Sequence, residues 1–271
     1  EPSGTECDIL IVGGGGGGGF GHGGGGGAGQ LVYISQANLN GPYNVKVGKG
    51  GTKGLLPTKG SDSSFSTVIA EGGGVNDNDV NPTFRDGGSG AGADAWKDDS
   101  NGYTTAGSRN TITDSFPPNT VYSKGNNGGT TVLSGGGGGG GGAGAIGGTG
   151  TIDTSGNGGV GLAGILETGL SIDFKTHFNL PTDNTLGHYV STDNKVYFAG
   201  GGAGGRFGGT GGLGGGGLGA NGYSSTDYIG GDAIQGSGGG GGGGGGNVGP
   251  GGKGGSGIVI IRYKLTSGSI F

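Results

Sequence analysis

Residues 8–29 read DILIVGGGGGGGFGHGGGGGAG, an apolar run followed at once by a long block of glycine. A short apolar run of this kind is typical of a buried strand. The glycine block favours neither a helix nor a strand interior, because glycine costs about 1 kcal/mol per helical position relative to alanine and weakens a strand. If the block is ordered, its backbone N–H and C=O groups still need hydrogen-bond partners. The stretch therefore predicts two building materials, β-strands and extended glycine segments.

The rest of the chain extends this pattern and narrows the class of protein. Glycine contributes 86 of the 271 residues, against about 7% in an ordinary domain. Collagen has a similar fraction, but it requires glycine at every third position and abundant proline, whereas this chain has glycine blocks and only 8 prolines. No apolar run reaches the roughly 20 residues of a membrane-spanning helix. Collagen and membrane insertion are therefore not expected.

Charge and cysteine content exclude further classes. The formal net charge is -5, which argues against binding nucleic acid through a basic face. The single cysteine, Cys7, excludes an internal disulfide framework. The chain begins at Glu1 and contains no methionine, which predicts a mature product or a segment of a longer protein.

Four glycine blocks, separated by strand-like segments, organise the chain. Residues 43–47 and 172–180 alternate apolar and polar side chains, which predicts strands with one buried face. Residues 72–129 are polar and are predicted to form loops with short strands. Further strands are predicted at residues 7–12, 31–34, 65–70, 130–133, 196–199 and 258–265. The first and last of these are the most apolar, so we expect them together in the core. The glycine blocks cover residues 13–29, 135–150, 200–219 and 236–255.

The glycine blocks can be ordered if they pack against one another. A polyproline II helix has three residues per turn, rises about 3.1 Å per residue and makes no internal hydrogen bonds. Glycine in this geometry keeps its N–H and carries no side chain, so neighbouring helices can approach closely and hydrogen-bond laterally. The predicted fold is mainly β, a single domain over residues 1–271 with a β-sandwich, jelly-roll-like core and an inserted polyglycine II helix bundle. The alternative is that the blocks are loosely ordered loops between strands.

Several pieces of the sequence carry a resemblance to a known family. They are residues 8–13, 43–51, 65–74, 198–202 and the closing GGSGIVIIRY at residues 254–263. These pieces are spread over nearly the whole chain. In them the chain resembles the glycine-rich domains of phage tail-fibre and other virion structural proteins and of related extracellular glycine-rich proteins. The resemblance implies an extracellular or virion-surface location and a structural or adhesive role, and it supplies no catalytic residue.

The sequence predicts no cofactor, metal or catalytic site. Residues 13–18 satisfy the glycine spacing of a dinucleotide fingerprint, but glycine continues where that fingerprint needs a helix and an acidic residue. The Asn- and Asp-rich stretches lack the spacing of known calcium loops and are predicted to form turns. The histidines His22, His177 and His188 lack metal-ligand spacing. His177 is expected on the solvated face of a strand, and an enzyme is not expected.

The predicted function is that of a non-catalytic structural subunit or domain of an extracellular or virion fibre or filament. Its predicted partners are copies of itself or other fibre proteins. The alternative is an adhesin at a fibre tip that binds a receptor or a cell-surface glycan, because loop aromatics can stack on sugars. The same aromatics could instead cap the glycine bundle and the core. The possible contact residues are Phe84, Trp96, Tyr103, Tyr189, Tyr223 and Tyr228.

Overall fold

The architecture was derived from a computed structural model that describes residues 5–76, 82–95, 121–167, 169–222, 228–246 and 248–263. The strands are, in chain order, β1 (Thr5–Val12), β2 (Leu31–Leu39), β3 (Val45–Lys46), β4 (Ser63–Phe65), β5 (Val68–Ala70), β6 (Val121–Lys124), β7 (Gly164–Glu167), β8 (Leu170–Asp173), β9 (His188–Val190), β10 (Lys195–Tyr197) and β11 (Ile258–Tyr263). Helix within these ranges is confined to a 3₁₀ turn, Pro82–Phe84, and one short α-helix, α1 (Phe174–Phe178). The mainly β fold class is confirmed, and the jelly-roll-like connectivity stays a prediction.

The central sheet pairs the first and last described strands. Its strand order is β11-β1-β2-β6, with all neighbours antiparallel. Ile9 lies opposite Ile261 and Val12 opposite Ile258, so these two strands meet as the sequence predicted. The other described strands form a three-stranded sheet, β3-β4-β5, and the two hairpins β7-β8 and β9-β10.

Apolar clusters cover both faces of the central sheet. Because side chains along a strand point alternately to its two sides, neighbouring residues enter different clusters. Leu10 of β1 lies in one apolar cluster with Phe174 and Phe198. Its neighbour Ile9 lies in a second cluster with Phe65 of the three-stranded sheet. Full burial of a large apolar side chain contributes about 1.5–3 kcal/mol. A strand buried on both faces needs a continuous apolar run, which is the pattern that β1 shows.

The predicted strand at residues 172–180 is wrong beyond Asp173. The side chain of this residue accepts a hydrogen bond at Oδ1 from the N–H of Thr176 at 2.9 Å, and it thereby caps α1. Phe174 and Phe178 lie one helical turn apart, with ring centroids 6.2 Å from each other, and both pack against the core. Apolar alternation with a period of two could not distinguish this capped turn from a strand.

Three other predicted strands are shorter, divided or absent. Residues 43–47 contribute only β3, and Val45 and Val47 are half exposed because β3 is the outermost strand of its sheet. Residues 65–70 span the β4-β5 turn, so they form parts of a hairpin. Residues 130–133 form no strand, since they end one glycine segment and enter the turn to the next.

Lateral hydrogen bonds that recur every third residue order the glycine blocks. Along segment 13–19, Gly13 and Gly16 donate to segment 23–30 at 3.0 and 2.9 Å. The other two N–H positions of each turn donate to two further segments, and the carbonyl groups accept from three more. A three-residue period with bonds only to neighbours is the geometry expected of polyglycine II. These contacts favour the ordered bundle over loose loops.

Sixteen such segments pack side by side among the described residues, in four rows of a hexagonal array. Five inner segments each have neighbours on all six sides. Each of them donates N–H groups to three neighbours and accepts at its carbonyl oxygens from the other three. The rows, in spatial order, are 58–62, 71–75, 87–95 and 125–131; then 48–52, 13–19, 23–30, 135–143 and 147–151; then 249–257, 238–245, 198–205 and 154–162; and finally 228–234, 215–220 and 209–213.

Peripheral segments extend the array beyond the four predicted blocks. In segment 154–162 the exposed residues include Thr154, Asn157 and Val160, which are three positions apart. With three residues per turn, one position of each turn can point to solvent and carry a side chain. An outer segment therefore does not need to be an uninterrupted glycine run, and for this reason block counting misses it.

Candidate functional site at the loop end of the bundle

The glycine segments have two ends with different surroundings. At the sheet end they continue from the central sheet, as where Val12 leads into Gly13 and segment 249–257 leads into β11. At the opposite end, here called the loop end, turns such as residues 20–22 and 132–134 join neighbouring segments. Inner glycine segments carry few side chains, and those are buried, so the turns of the loop end are where this part of the molecule can display chemistry.

Exposed apolar side chains occupy several turns of the loop end. Leu55 and Leu56 are 69% and 74% exposed in the turn between segments 48–52 and 58–62. Other exposed apolar residues in turns at this end are Val132, Leu133, Ile152 and Val248. Grouped exposed apolar side chains are a mark of interaction surfaces. They were not among the predicted contact residues; their signal in the sequence is an aliphatic residue inside a turn between glycine segments.

Two of the predicted contact residues lie at the loop end. Phe84 is 43% exposed, and its carbonyl accepts a hydrogen bond from the N–H of Val75 at 2.8 Å. Tyr228 is partly buried; its carbonyl accepts from the N–H of Gly245 at 2.8 Å, and its ring lies beside Gly246. Three further predicted contact residues lie outside the described residues, namely Trp96, Tyr103 and Tyr223.

Tyr189 lies at the sheet end, away from the other two. It packs, partly buried, against the apolar cluster that contains Phe174. Its hydroxyl donates to Oδ1 of Asn194 at 3.2 Å, and its N–H donates to Oδ1 of Asn184 at 2.6 Å. The structure therefore brings Phe84 and Tyr228 to the loop end and does not bring Tyr189 to them.

Arg206 ties two turns of the loop end together. Its Nη1 donates to the carbonyl oxygens of Ser134 and Gly135, the latter at 3.0 Å. Its guanidinium carbon lies 4.7 Å from the ring centroid of Phe207, within the range of a cation–π contact. Burial and then the Arg206 charge lower the pKa of His22, so this ring is uncharged at neutral pH. The two backbone carbonyls that Arg206 contacts thus connect its turn to the turn at residues 132–134.

A charged cluster at the sheet end holds α1 against the central sheet. Nε2 of His177 lies 2.9 Å from Oδ2 of Asp8, and Nη1 of Arg262 lies 3.3 Å from the same oxygen. Burial, followed by the negative charge of Asp8, raises the pKa of Tyr33, whose hydroxyl lies 3.5 Å from Nε2 of His177. The expected solvated position of His177 is wrong: its side chain is only 18% exposed, because it lies on a helix that packs on the sheet.

The remaining histidine has a structural position. Nδ1 of His188 accepts hydrogen bonds from the N–H groups of Gly214 and Gly215, each at 3.2 Å, and burial lowers its pKa. Across the described ranges, no group of three or more His, Cys, Asp or Glu side chains could hold a metal ion. In the same part of the chain, no helix is both long and apolar enough to cross a membrane.

Comparison with known protein families identifies a relationship. A family model described as a glycine-rich domain matches residues 1–264. This range includes every strand and every glycine segment given above. No curated protein matches the chain.

Proposed function

We propose that this chain, which belongs to the glycine-rich domain family, serves as a non-catalytic structural subunit or domain of an extracellular or virion fibre. The hexagonal bundle is the observation that carries the proposal. Its five inner segments are each bonded on six sides by backbone groups alone. Bending or pulling out one segment requires many of these bonds to break together, and each typical bond contributes about 0.5–1.5 kcal/mol net.

The surface chemistry of the bundle fits the same role. Glycine segments expose few side chains, so proteases have few groups to recognise. The apolar turns of the loop end supply a surface on which a further fibre protein or a second copy can pack. A head-to-tail contact of this kind between identical subunits continues indefinitely as a filament if it does not close into a ring. A stiff domain with exposed apolar side chains in the turns at its loop end therefore suits end-to-end assembly.

Assembly of the purified chain tests the fibre role. We expect electron micrographs to show filaments whose axial repeat corresponds to one domain, and sedimentation to show mass that increases with protein concentration. A variant with Leu55→Ser and Leu56→Ser should assemble less than a variant with Leu166→Ser, which removes an 84% exposed leucine from the β7-β8 hairpin. A chain that remains strictly monomeric at all concentrations contradicts the subunit role.

The second candidate function is that of a receptor- or glycan-binding adhesin at a fibre tip. The observation that favours it is the collection of turns at one end of the bundle, with Phe84 exposed and Tyr228 half-buried among them. A rigid scaffold lowers the entropic cost of binding, because its loops are ordered before the ligand arrives. Exposed aromatic rings provide stacking faces for sugars.

Binding by the loop end is expected to depend on Phe84. On a glycan array or on intact cells, Phe84→Ala should weaken binding at least about tenfold, which corresponds to about 1.4 kcal/mol. The matched control is Leu166→Ala, since Leu166 is more exposed than Phe84 but lies on a sheet-end hairpin. Equal binding by the wild type and Phe84→Ala, or an equal loss in the control, would remove the support for a loop-end adhesin.

A further inference from the structure

One side of the bundle carries four lysines on a chain whose net charge is -5. Lys46 belongs to β3, Lys49 to segment 48–52, and Lys53 follows that segment. Lys253 lies on the neighbouring segment 249–257. All four are exposed. We call these four residues the lysine face.

The backbone beneath the lysine face is fixed. Gly257 donates to the carbonyl of Gly48 at 2.9 Å, and Gly254 donates to that of Gly51 at 3.0 Å, so the two segments lie side by side. The carbonyl of Lys49 itself accepts from the N–H of Ser61 at 2.9 Å. Residues three positions apart on an extended segment are separated by about 9 Å. Lys46 and Lys49, three positions apart, are therefore spaced along the exposed side of this stretch, and Lys53 follows four positions further on, towards segment 249–257.

Nearby carboxylates neutralise only part of this charge. Asp232 lies 3.6 Å from Nζ of Lys53 and accepts a hydrogen bond from the N–H of Lys253 at 2.9 Å. Asp62 accepts from the N–H of Gly72 at 2.8 Å, on the side of segment 71–75. Within the described residues, Lys46 and Lys49 have no carboxylate at ion-pair distance. Their two charges are available to an external anion.

We propose that the lysine face binds a linear acidic polysaccharide lying along the bundle axis. A linear polyanion carries its charges one after another, and Lys46, Lys49 and Lys53 follow one another along residues 46–53, a stretch that includes segment 48–52 of the bundle. An anionic membrane presents a plane of charge, whereas this face is only two segments wide. Lysine ammonium groups bind sulfate and carboxylate as point charges, and binding releases counterions from the polymer, so affinity falls with salt. The inference does not depend on fibre assembly, since a single domain carries the complete face.

The full chain can be tested with defined polymers in a salt titration. We expect binding to heparin or to polygalacturonate at low ionic strength, and no binding to neutral dextran. Lys46→Gln with Lys49→Gln should weaken that binding at least tenfold. The slope of log affinity against log salt should fall in magnitude by one to two, since each lost contact between a lysine and a charged group of the polymer lowers the slope by about one. The matched control is Lys175→Gln with Lys195→Gln, which changes the net charge equally on α1 and β10.

The outcomes separate the possibilities. Loss of polysaccharide binding in the Lys46 and Lys49 variant alone supports the lysine face. An equal loss in the control variant shows a bulk charge effect and overturns it. Binding to vesicles of phosphatidylglycerol and phosphatidylcholine without binding to either acidic polymer also overturns it, in favour of a membrane surface. Polysaccharide binding by a wild-type chain that remains strictly monomeric at all concentrations leaves the lysine face standing and counts only against the fibre role.

Discussion

Replacing Gly25 with alanine is expected to lower the free energy of unfolding by more than about 4 kcal/mol, or to prevent folding altogether. Gly25 lies in segment 23–30, which is surrounded by six others. A Cβ at this position would overlap the carbonyl oxygen of Gly202 and would lie 2.8 Å from that of Ala203. Overpacking an ordinary core costs about 1–3 kcal/mol, because side chains can shift. Here the obstacle is backbone, and both segments are held by bonds to further segments, so the cost is larger.

Thermal or denaturant unfolding of the full chain measures this effect. The matched control is Gly41→Ala, because a Cβ at Gly41 has no atom within 4 Å. That change should alter the free energy of unfolding by less than about 1 kcal/mol, and the smaller backbone entropy of the unfolded chain makes a slight gain possible. The native sequence places alanine inside the array at Ala203, whose methyl carbon lies beside Gly209 in a neighbouring segment. Similar losses for Gly25→Ala and Gly41→Ala would contradict the close packing of the inner segments.

The second large effect is expected in amide hydrogen exchange. Gly26 and Gly140 donate to inner neighbours, Gly241 and Gly202, each at 2.8 Å, and all four residues are buried. Exposure of such an amide requires several segments to separate, which approaches global unfolding. With an unfolding free energy of about 5–15 kcal/mol, exchange should be slowed by a factor of at least about ten thousand. A glycine tract in solution has no such protection.

Exchange followed by mass spectrometry or NMR distinguishes the inner segments from the turns. Gly169 is the internal control, because it is exposed in the β7-β8 turn and should exchange rapidly. Peripheral segments should show intermediate protection. Rapid exchange at Gly26 and Gly140 on the timescale of Gly169 would reject a cooperative bundle, whatever the behaviour of the strands.

The strands that could be predicted are those with strong apolar runs. Residues 7–12 and 258–265 were expected in the core together, and β1 and β11 pair there. The stretch at residues 172–180 was misassigned, because the cap formed by Asp173 and the packing of Phe178 decide its conformation. Alternation is a local pattern, and here contacts with the sheet determined the outcome.

The candidate site was predictable only in part. An aromatic residue in a polar stretch is the pattern that selects Phe84 and Tyr228 as contact residues. The same pattern selects Tyr189, and the sequence offers no reason to place Tyr189 at the sheet end instead of the loop end. That separation depends on which end of the bundle each connecting segment occupies. The net charge of -5 gives no indication of the lysine face, because it sums all charges of the chain, whereas the structure places Lys46 and Lys49 on one face.

The sequence by itself determined the two kinds of structural element in this protein, β-strands and hydrogen-bonded glycine segments. Glycine at 86 of 271 positions requires backbone groups to find one another, and the apolar runs require a β core. The tertiary structure alone decided the partners: segment 23–30 bonds to segments as remote in the chain as 135–143 and 238–245. Glycine has no side chain with which to specify a neighbour. Register and order in the array are therefore set by the strands, turns and side chains that anchor the ends of each segment.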